Sequence, residues 1–328
     1  METKRLKIAF LSRYQGSVDR GAETYVSELS KRLSKNHQVE IFSGKNADDL
    51  GKILAGKFNI VIATNGRTQA LKVSLGRLFG KYKLIISGQS GSGIDDIFNV
   101  SVKPDVFVAL TNFAASGESN KLRRATTWSW GTKVVTIPNG VDLDKFRPSS
   151  SHKRSNLFRL KRPVILSVGA LFWYKHHERT IKALSKLETG SLLIIGDGPE
   201  KEKLQALGEK LLGNDRFKII QVTFDKIPEF YRSADLFVLP SWNREAFGIV
   251  YVEAMASGLP VVAPDDSPRR EIIGEAGILV NVEDPGKYAS ALEKALSRDW
   301  GNIPRKQAEK FSWDLVAEKY KDLFRTIV

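Results

Sequence analysis

Short apolar runs alternate with helical segments along the whole of this 328-residue chain, and this alternation constrains the fold more than any other feature. The runs lack alternating polar positions, which is typical of parallel strands covered on both faces. The first segment between two runs has apolar residues at Ala22, Val26, Leu29 and Leu33, on one face of a helix. The sequence therefore predicts an α/β protein with doubly wound parallel sheets.

The apolar runs fall into two halves of similar size. In the first half the predicted strands are Lys7–Leu11, Val39–Phe42, Phe58–Ala63, Leu84–Ile86, Val106–Leu110 and Val134–Ile137. In the second half they are Val164–Val168, Leu192–Ile195, Phe217–Ile220, Leu236–Leu239 and Pro260–Ala263. Residues 145–162 are polar and contain proline, as a linker does. We expect two Rossmann-like domains facing a cleft, residues 1–155 and 156–311, with a helix over about 312–328 that packs back on the first domain.

The composition excludes several classes of protein. The chain has no cysteine, which rules out disulfides and thiolate metal sites and fits a reducing compartment. Its four histidines are too scattered for a convincing zinc cluster. No run approaches the roughly 18 apolar residues of a membrane-spanning helix, and residues 6–11 are too short a run for a signal peptide. We expect a cytoplasmic protein that at most lies peripherally on the membrane face.

The net charge of +14 is unevenly distributed. Residues 1–160 contain 26 Lys and Arg against 13 Asp and Glu, whereas residues 161–328 contain 25 against 24. Two explanations stay open for the basic half. It carries an ordinary solvated surface, or it meets an anionic partner such as nucleic acid, phospholipid or a phosphate-bearing acceptor.

The segment from Leu236 to Ala263 carries most of the chemical information. Within it, the predicted helix over Ile249–Ala256 is apolar on every face except at Glu253. A buried carboxylate needs hydrogen-bond donors. These donors are either neighbouring protein groups or ligand hydroxyls, such as those of a ribose.

Glu245 lies eight residues before Glu253, just ahead of the same helix. This spacing corresponds to roughly 12 Å of helical rise. Between the two carboxylates lie the backbone amides of Phe247, Gly248 and Ile249, which would be unpaired at the helix N-terminus and would attract an anion. The arrangement suits a ligand with hydroxyls at both ends and a diphosphate between them, which describes a nucleotide sugar.

The stretch from Glu245 to Ala263 resembles the signature of retaining GT-B glycosyltransferases, in particular glycosyltransferase family 4, namely Glu-x7-Glu followed by Ala-Met-Ala-x-Gly-x-Pro-Val-Val-Ala. Further matches in the family's order are Ile137–Asp142, Val168-Gly169 with Lys175, Ile195–Pro199, Ala234–Ser241, Arg270–Ile273 and Phe311–Trp313. The likeness implies a GT-B fold and an enzyme that moves a hexose-type sugar from a nucleotide-diphosphate donor, a UDP- or GDP-sugar. The acceptor would be a hydroxyl in lipid-linked or surface glycan synthesis.

The resemblance also implies roles for single residues. Glu253 would bind the donor ribose, Glu245 would contact the donor sugar, and Lys175 would neutralise the departing diphosphate, although by spacing alone Lys175 is a surface lysine. The implied catalytic residues are Glu245 and Lys175. The implied donor-binding residues are Gly21, Lys175, Glu245, Phe247, Gly248, Ile249 and Glu253. Gly21, at the end of a glycine loop, either reaches a phosphate or belongs to a capped turn. No metal and no other cofactor is expected.

Two departures from the family pattern affect the expected site. Ala170 stands where the family commonly has an arginine, so half of the usual cationic clamp is missing. The candidates to supply that charge are Arg20, Arg244 and Arg269. The region Ile85–Gly91 lacks the histidine that family members often carry near the sugar. The candidates to occupy its place are Gln89 and Ser90.

Basic and apolar residues are interleaved in two segments of the first half. In one segment the basic residues are Arg67, Lys72, Arg77, Lys81 and Lys83, and the apolar residues are Leu71, Val73, Leu75, Leu78 and Phe79. In the other, Lys121, Arg123 and Arg124 precede Trp128 and Trp130. The composition suits an anionic membrane surface, and a peripheral enzyme that extends a lipid-linked or membrane glycan is the preferred hypothesis. A polyanionic acceptor, or a basic helix whose apolar side faces the core, stays open.

The remaining motifs and functions carry less weight. Asp142-Leu-Asp144 has the spacing of a Mn²⁺ site but belongs to a turn, so we expect it to be structural. One alternative function is a GT-B-type nucleotide-sugar epimerase, and another is a catalytically weak partner subunit. A basic nucleic-acid-binding protein is disfavoured because no groove-reading module is present.

Overall fold

The computed structural model describes residues 5–17, 21–64, 66–89, 94–116, 131–149, 159–241 and 245–328. The chain divides into two compact units. Unit 1 is Met1–Gly140 together with Trp313–Val328, and unit 2 is Val141–Ser312.

The described part of unit 1 contains a six-stranded parallel sheet with the order β2-β1-β3-β4-β5-β6. Its strands are β1 (Lys7–Leu11), β2 (Gln38–Phe42), β3 (Ile60–Ala63), β4 (Lys83–Ser87), β5 (Val106–Ala109) and β6 (Lys133–Thr136). The described helices before the boundary are α1 (Gly21–Leu33), α2 (Leu50–Ala55), α3 (Gly66–Gly76), α4 (Ile94–Ser101) and α5 (Asn112–Ser116), with a 3-10 helix at Gly44–Asp48. Buried apolar side chains of the sheet form a core on each of its two faces.

The described part of unit 2 contains a second six-stranded parallel sheet, with the order β12-β11-β10-β7-β8-β9. Its strands are β7 (Val164–Val168), β8 (Ser191–Ile195), β9 (Phe217–Ile220), β10 (Leu236–Val238), β11 (Val261–Pro264) and β12 (Gly277–Val280). Its helices are α6 (His177–Leu184), α7 (Lys201–Leu212), α8 (Ile227–Ser233), α9 (Ile249–Ala256), α10 (Ser267–Ile273), α11 (Pro285–Ser297) and α12 (Ile303–Glu309), with a 3-10 helix at Trp173–Lys175.

The last helix, α13 (Trp313–Ile327), belongs to unit 1 although it follows unit 2 in the chain. The hydroxyls of Tyr320 on α13 and Tyr25 on α1 are 2.7 Å apart and buried. Trp313 packs so closely on Gly140 that a Cβ at that glycine would lie 2.6 Å from the indole. Burial of these aromatic side chains holds α13 in the core of unit 1.

The boundary between the units falls at residues 140 and 141, whereas the sequence analysis placed it at 155. The reason lies in the contacts of residues 141–146. The amide of Val141 donates to the carbonyl of Phe311, and Arg305 on α12 donates to the carbonyls of Leu143 and Phe146. These bonds place residues 141–146 in unit 2.

The sequence analysis missed one strand, β12. Its four residues are only partly buried. The strand begins with Gly277 directly after a turn, and glycine is uncommon in strands, so the local sequence does not indicate where the strand starts. An added Cβ at Gly277 would lie 2.2 Å from the Val261 carbonyl oxygen, so glycine permits the close pairing with β11. The eleven predicted strands are all found, with ends shifted by at most two residues.

Each sheet contains a point where the order of the strands reverses. In unit 2 this switch point lies between β7 and β10, which pair directly, and in unit 1 it lies between β1 and β3. Loops at the carboxyl ends of two such neighbouring strands leave in opposite directions, and the crevice between them is where doubly wound sheets bind ligands.

We predict that Trp313→Ala lowers the free energy of unfolding by about 3–5 kcal/mol, because it removes a fully buried aromatic side chain from the core of unit 1. The control is Leu315→Ala on the same helix, where the side chain is 49% exposed and the change should stay within about 0.5 kcal/mol. Urea denaturation measures both. Equal losses in the two variants would show that α13 is not packed as described.

Candidate functional site

The residues singled out in the second half gather at the switch point of unit 2. Lys175 ends the 3-10 helix that follows β7, and Glu245 lies in the connection between β10 and α9. Because β7 and β10 are adjacent parallel strands, their carboxyl ends lie side by side. The topology therefore brings together two side chains that are 70 residues apart in the chain.

Lys175 and Glu245 form an ion pair. The Lys175 Nζ lies 2.5 Å from the Glu245 Oε2, and the two side chains are only 17% and 14% exposed. The hydroxyl of Ser241, just after β10, donates to the carbonyl of Tyr174 at 3.3 Å and ties the two connections together. A partly buried pair is screened less by solvent than a surface pair, so this contact orients both side chains.

Helix α9 begins at Ile249, as predicted, and Gly248 is its N-terminal cap. Gly248 has a φ of +80°, in the left-handed region that favours glycine. A Cβ there would lie 2.5 Å from the ring of Tyr251 and 3.3 Å from Cγ of Glu245. Glycine at this position therefore fits both the sharp turn into the helix and the close approach of Glu245.

Three backbone amides at the start of α9 have no acceptor among the residues that the structure describes. Within the described part of the chain, the N–H groups of Phe247, Gly248 and Ile249 donate no hydrogen bond. Free amides at a helix N-terminus, where the helix dipole is positive, favour an anion. The Lys175–Glu245 pair lies beside them through the contact of Glu245 with Gly248.

Glu253, the only charged residue of α9, is 4% exposed. The hydroxyl of Tyr231 on α8 donates to its Oε2 at 3.0 Å, so one of the donors that the burial requires is a neighbouring protein side chain. Among the described residues, Oε1 has no hydrogen-bond partner and is available to a ligand. Burial raises the pKa of the Glu253 carboxyl to about 7, while the Tyr231 hydroxyl and the charge of Lys145 act in the opposite direction.

Arg269, on α10, has a different role from the one considered in the sequence analysis. Its side chain is 2% exposed and donates to the carbonyls of Ser241 (2.7 Å) and Glu245 (3.4 Å). It also pairs with Asp266 at 3.3 Å. The guanidinium thus holds both ends of the connection before α9 and is not a free cation that replaces the arginine missing at Ala170.

A family model described as "Glycosyl transferases group 1" matches residues 149–312, which is half of the chain. The chain belongs to this family. The resemblance drawn from the motifs is thereby confirmed at the level of the group 1 glycosyltransferases.

Two curated relatives of this glycosyltransferase match it over 59% of its length. An uncharacterized glycosyltransferase of Methanocaldococcus jannaschii is 33% identical, with 54% of its own length covered. A D-inositol 3-phosphate glycosyltransferase of Corynebacterium jeikeium is 32% identical, with 52% covered. The chain spans about half the length of the curated relatives it matches.

Solved structures confirm the predicted GT-B class of fold. Anabaena HepE in complex with UDP-glucose has a TM-score of 0.81 and 18% identity, over 98% of this chain and all of that one. Sucrose-phosphate synthase of Thermosynechococcus elongatus has a TM-score of 0.80 and 20% identity, over 98% and 99% of the two chains. At such identities the likeness concerns the fold.

Sequence reasoning missed three buried residues that support the site. Tyr231 bonds Glu253 from 22 residues away, and no local pattern marks such a partner. Tyr251 packs on Gly248 and donates to the carbonyl of Leu239, and its spacing of three residues from the glycine is the signal that was available. His177 follows the Lys175 turn, and burial, with the nearby lysine charge, lowers the pKa of its imidazole to about 4.

The candidate residues of the first half lie in unit 1. Gly21 is the first residue of α1, and its part in donor binding stays a prediction. Gln89 exchanges two hydrogen bonds with Asn139, at 3.2 and 3.0 Å, so its amide already has a protein partner. Outside the described residues lie Arg20, Ser90, Lys121, Arg123, Arg124, Trp128, Trp130 and Arg244.

The structure supports the expected role of Asp142 in a turn. Its carboxylate accepts from the amides of Asp144 and Lys145 at 3.0 and 2.9 Å. In the described part of the chain, no group of three or more metal-binding side chains is gathered, and no helix is long and apolar enough to cross a bilayer.

We predict that Glu253→Gln raises the stability of the protein at pH 8 by on the order of 3 kcal/mol. The pKa of Glu253 rises from its ordinary 4.5 to about 7 on folding, because the buried site favours the protonated carboxyl. The stability that depends on this protonated form is fully present below about pH 4.5 and is lost as the pH rises through 7, whereas glutamine stays neutral at every pH. The gain should therefore shrink as the pH is lowered to 5. Thermal unfolding from pH 5 to 8 measures it, with the exposed Glu293→Gln as control; a gain that is flat with pH would contradict the assignment.

We predict that Arg269→Met destabilises the protein by about 3–5 kcal/mol and abolishes binding of a nucleoside diphosphate, because two carbonyls and Asp266 lose their partner. The neighbouring Arg270→Met is the matched control, since that side chain is 61% exposed and pairs with Asp265 at the surface. It should change stability by less than about 1 kcal/mol. Denaturation and calorimetric titration of both variants decide, and equal effects would remove Arg269 from the site.

Proposed function

We propose that this protein is a retaining glycosyltransferase that moves a hexose-type sugar from a UDP- or GDP-sugar to an acceptor hydroxyl. The observation that carries the proposal is the Lys175–Glu245 pair beside three free amides at the N-terminus of α9, with Glu253 buried further along the same helix. An anion-binding helix end and a ribose-binding carboxyl thus lie along α9, and the cation Lys175 reaches the same site from the connection after β7.

Each part of the donor then has a partner. The diphosphate lies on the amides of Phe247, Gly248 and Ile249, and Lys175 neutralises its charge. The ribose hydroxyls bind Glu253, which accepts through its open Oε1, and Glu245 contacts the sugar. The ion pair with Glu245 orients Lys175 toward this role.

The reaction breaks the bond between the anomeric carbon of the sugar and the diphosphate oxygen. The bonding electrons go to the diphosphate, where Lys175 and the dipole of α9 stabilise the charge without a metal. The acceptor hydroxyl attacks from the face that the diphosphate leaves, and its proton passes to a departing phosphate oxygen. This course retains the anomeric configuration.

The comparisons support the classes of donor and acceptor. HepE is solved with UDP-glucose, and one relative is named for transfer to an inositol phosphate. Unit 1 carries most of the excess positive charge, which suits an acceptor that bears phosphate, such as a lipid-linked or surface glycan. We therefore propose a cytoplasmic enzyme that works peripherally at the membrane face.

We predict that Lys175→Ala lowers kcat by roughly 10²–10³-fold, because the charge on the leaving diphosphate loses its cation. Lys182→Ala, an exposed lysine on α6, is the matched control and should leave turnover unchanged. A thermal-shift screen of UDP, GDP and ADP with their sugars first selects the donor. Release of nucleoside diphosphate from that donor then measures turnover with a lipid-linked glycan acceptor.

Product analysis separates this function from its rivals. Transfer requires that nucleoside diphosphate release depends on the acceptor and that the glycan gains one sugar of unchanged anomeric configuration. An altered sugar formed without acceptor would instead show an epimerase. Donor binding without turnover in the presence of a broad set of acceptors would show a partner subunit.

A further inference from the structure

A patch of exposed apolar side chains lies at the end of α3 in unit 1. Its members, called here the Phe79 patch, are Leu71, Leu75, Leu78 and Phe79, which are 43%, 53%, 78% and 79% exposed. Leu71, Leu75 and Leu78 are spaced by four and three residues and lie on one side of the helical segment. Such a cluster on a protein surface marks an interaction site.

The fold of unit 1 keeps this patch outward. The opposite face of α3 packs on the core through Gln69, Ala70 and Val73, which are buried. After the helix, Arg77 bonds Asp105 and the carbonyl of Lys103, which fixes the turn. The sequence left open whether the apolar side of this basic helix faces the core. Of its five apolar residues, only Val73 does so, and the other four are exposed.

The charge around the patch is positive on balance. Residues 50–94 contain seven Lys and Arg and no Asp or Glu. Three of these cations, Arg67, Arg77 and Lys83, pair with Asp95 or Asp105. Lys57, Lys72 and Lys81 are exposed, and none of them forms an ion pair with a described residue.

A cavity of about 400 Å³ adjoins the patch. Phe79 lines one part of it, Leu54 on α2 lines another, and Lys57 and Lys81 contribute its positive charge. Gly80 permits this geometry, because a Cβ there would lie 2.6 Å from the Leu54 side chain. Apolar walls with two ammonium groups suit an anionic headgroup joined to hydrocarbon.

We propose that the Phe79 patch docks the protein on an anionic lipid bilayer, with Leu78 and Phe79 inserted at the interface and Lys57, Lys72 and Lys81 on the headgroup phosphates. A second copy of the chain would bring the same uncompensated cations against each other, which disfavours a symmetric dimer through this face. A nucleic acid bound through its phosphates would leave the aliphatic side chains of Leu71, Leu75 and Leu78 uncovered. The inference deepens the proposed function, on which it rests for the membrane position of the acceptor.

Vesicle flotation of the full chain tests the proposal. The probes are vesicles of phosphatidylcholine alone and vesicles with about one third phosphatidylglycerol, at low and high salt. We expect binding to the anionic vesicles that salt weakens and little binding to neutral ones. Leu78→Ser with Phe79→Ser, and separately Lys72→Gln with Lys81→Gln, should each lower the partition coefficient at least tenfold. Leu211→Ser and Leu315→Ser, at exposed apolar positions outside the patch, should leave it unchanged.

Binding of a nucleoside diphosphate, measured on the same proteins, separates this proposal from the proposed function. It should be equal in wild type and patch variants, which also shows that the variants are folded. Absence of wild-type binding to anionic vesicles, or unchanged binding of the Leu78→Ser/Phe79→Ser protein, overturns the docking surface. So does a dimer in gel filtration that this double variant dissociates, because the patch would then join two copies of the chain.

Discussion

The guanidinium of Arg269 holds both ends of the connection between β10 and α9. It donates to the carbonyls of Ser241 and Glu245 while almost fully buried. A buried cation must have its acceptors in place, so this interaction specifies the path of the backbone there. The direction of the Glu245 side chain and the turn at Gly248 both depend on that path, and Lys175 is oriented in turn by Glu245. Arg269 is therefore a positioning residue for Glu245, Gly248 and Lys175.

The charged and buried carboxyl groups of the site have protein partners. Lys175 forms an ion pair with Glu245, and burial raises the pKa of Glu253 to about 7, so that its carboxyl is partly protonated near neutral pH. Among the described residues, the three amides at the start of α9 and one oxygen of Glu253 have no hydrogen-bond partner. A diphosphate and a ribose would supply partners for these groups, and helix α9 sets the separation between them.

The sequence predicts those features that depend on local pattern. The apolar runs locate eleven strands, and the lone carboxylate in an apolar helix identifies Glu253 before any contact is known. Features that depend on long-range contacts were missed or misassigned: Tyr231 as the donor to Glu253, Arg269 as a buried anchor, and β12, whose side chains are only half covered. The sequence pattern also could not predict that the Phe79 patch is exposed, because the spacing of apolar residues on a helix does not show whether another element covers them.

The central claim is that α9 binds a nucleotide sugar between its N-terminus and Glu253. A structure of the protein with bound UDP, or with GDP if that is the tighter ligand, tests it most directly. The account predicts diphosphate oxygens within hydrogen-bond distance of the amides of Phe247, Gly248 and Ile249, and ribose hydroxyls on the carboxyl of Glu253. A nucleotide bound elsewhere, or one whose ribose lies away from Glu253, would contradict it.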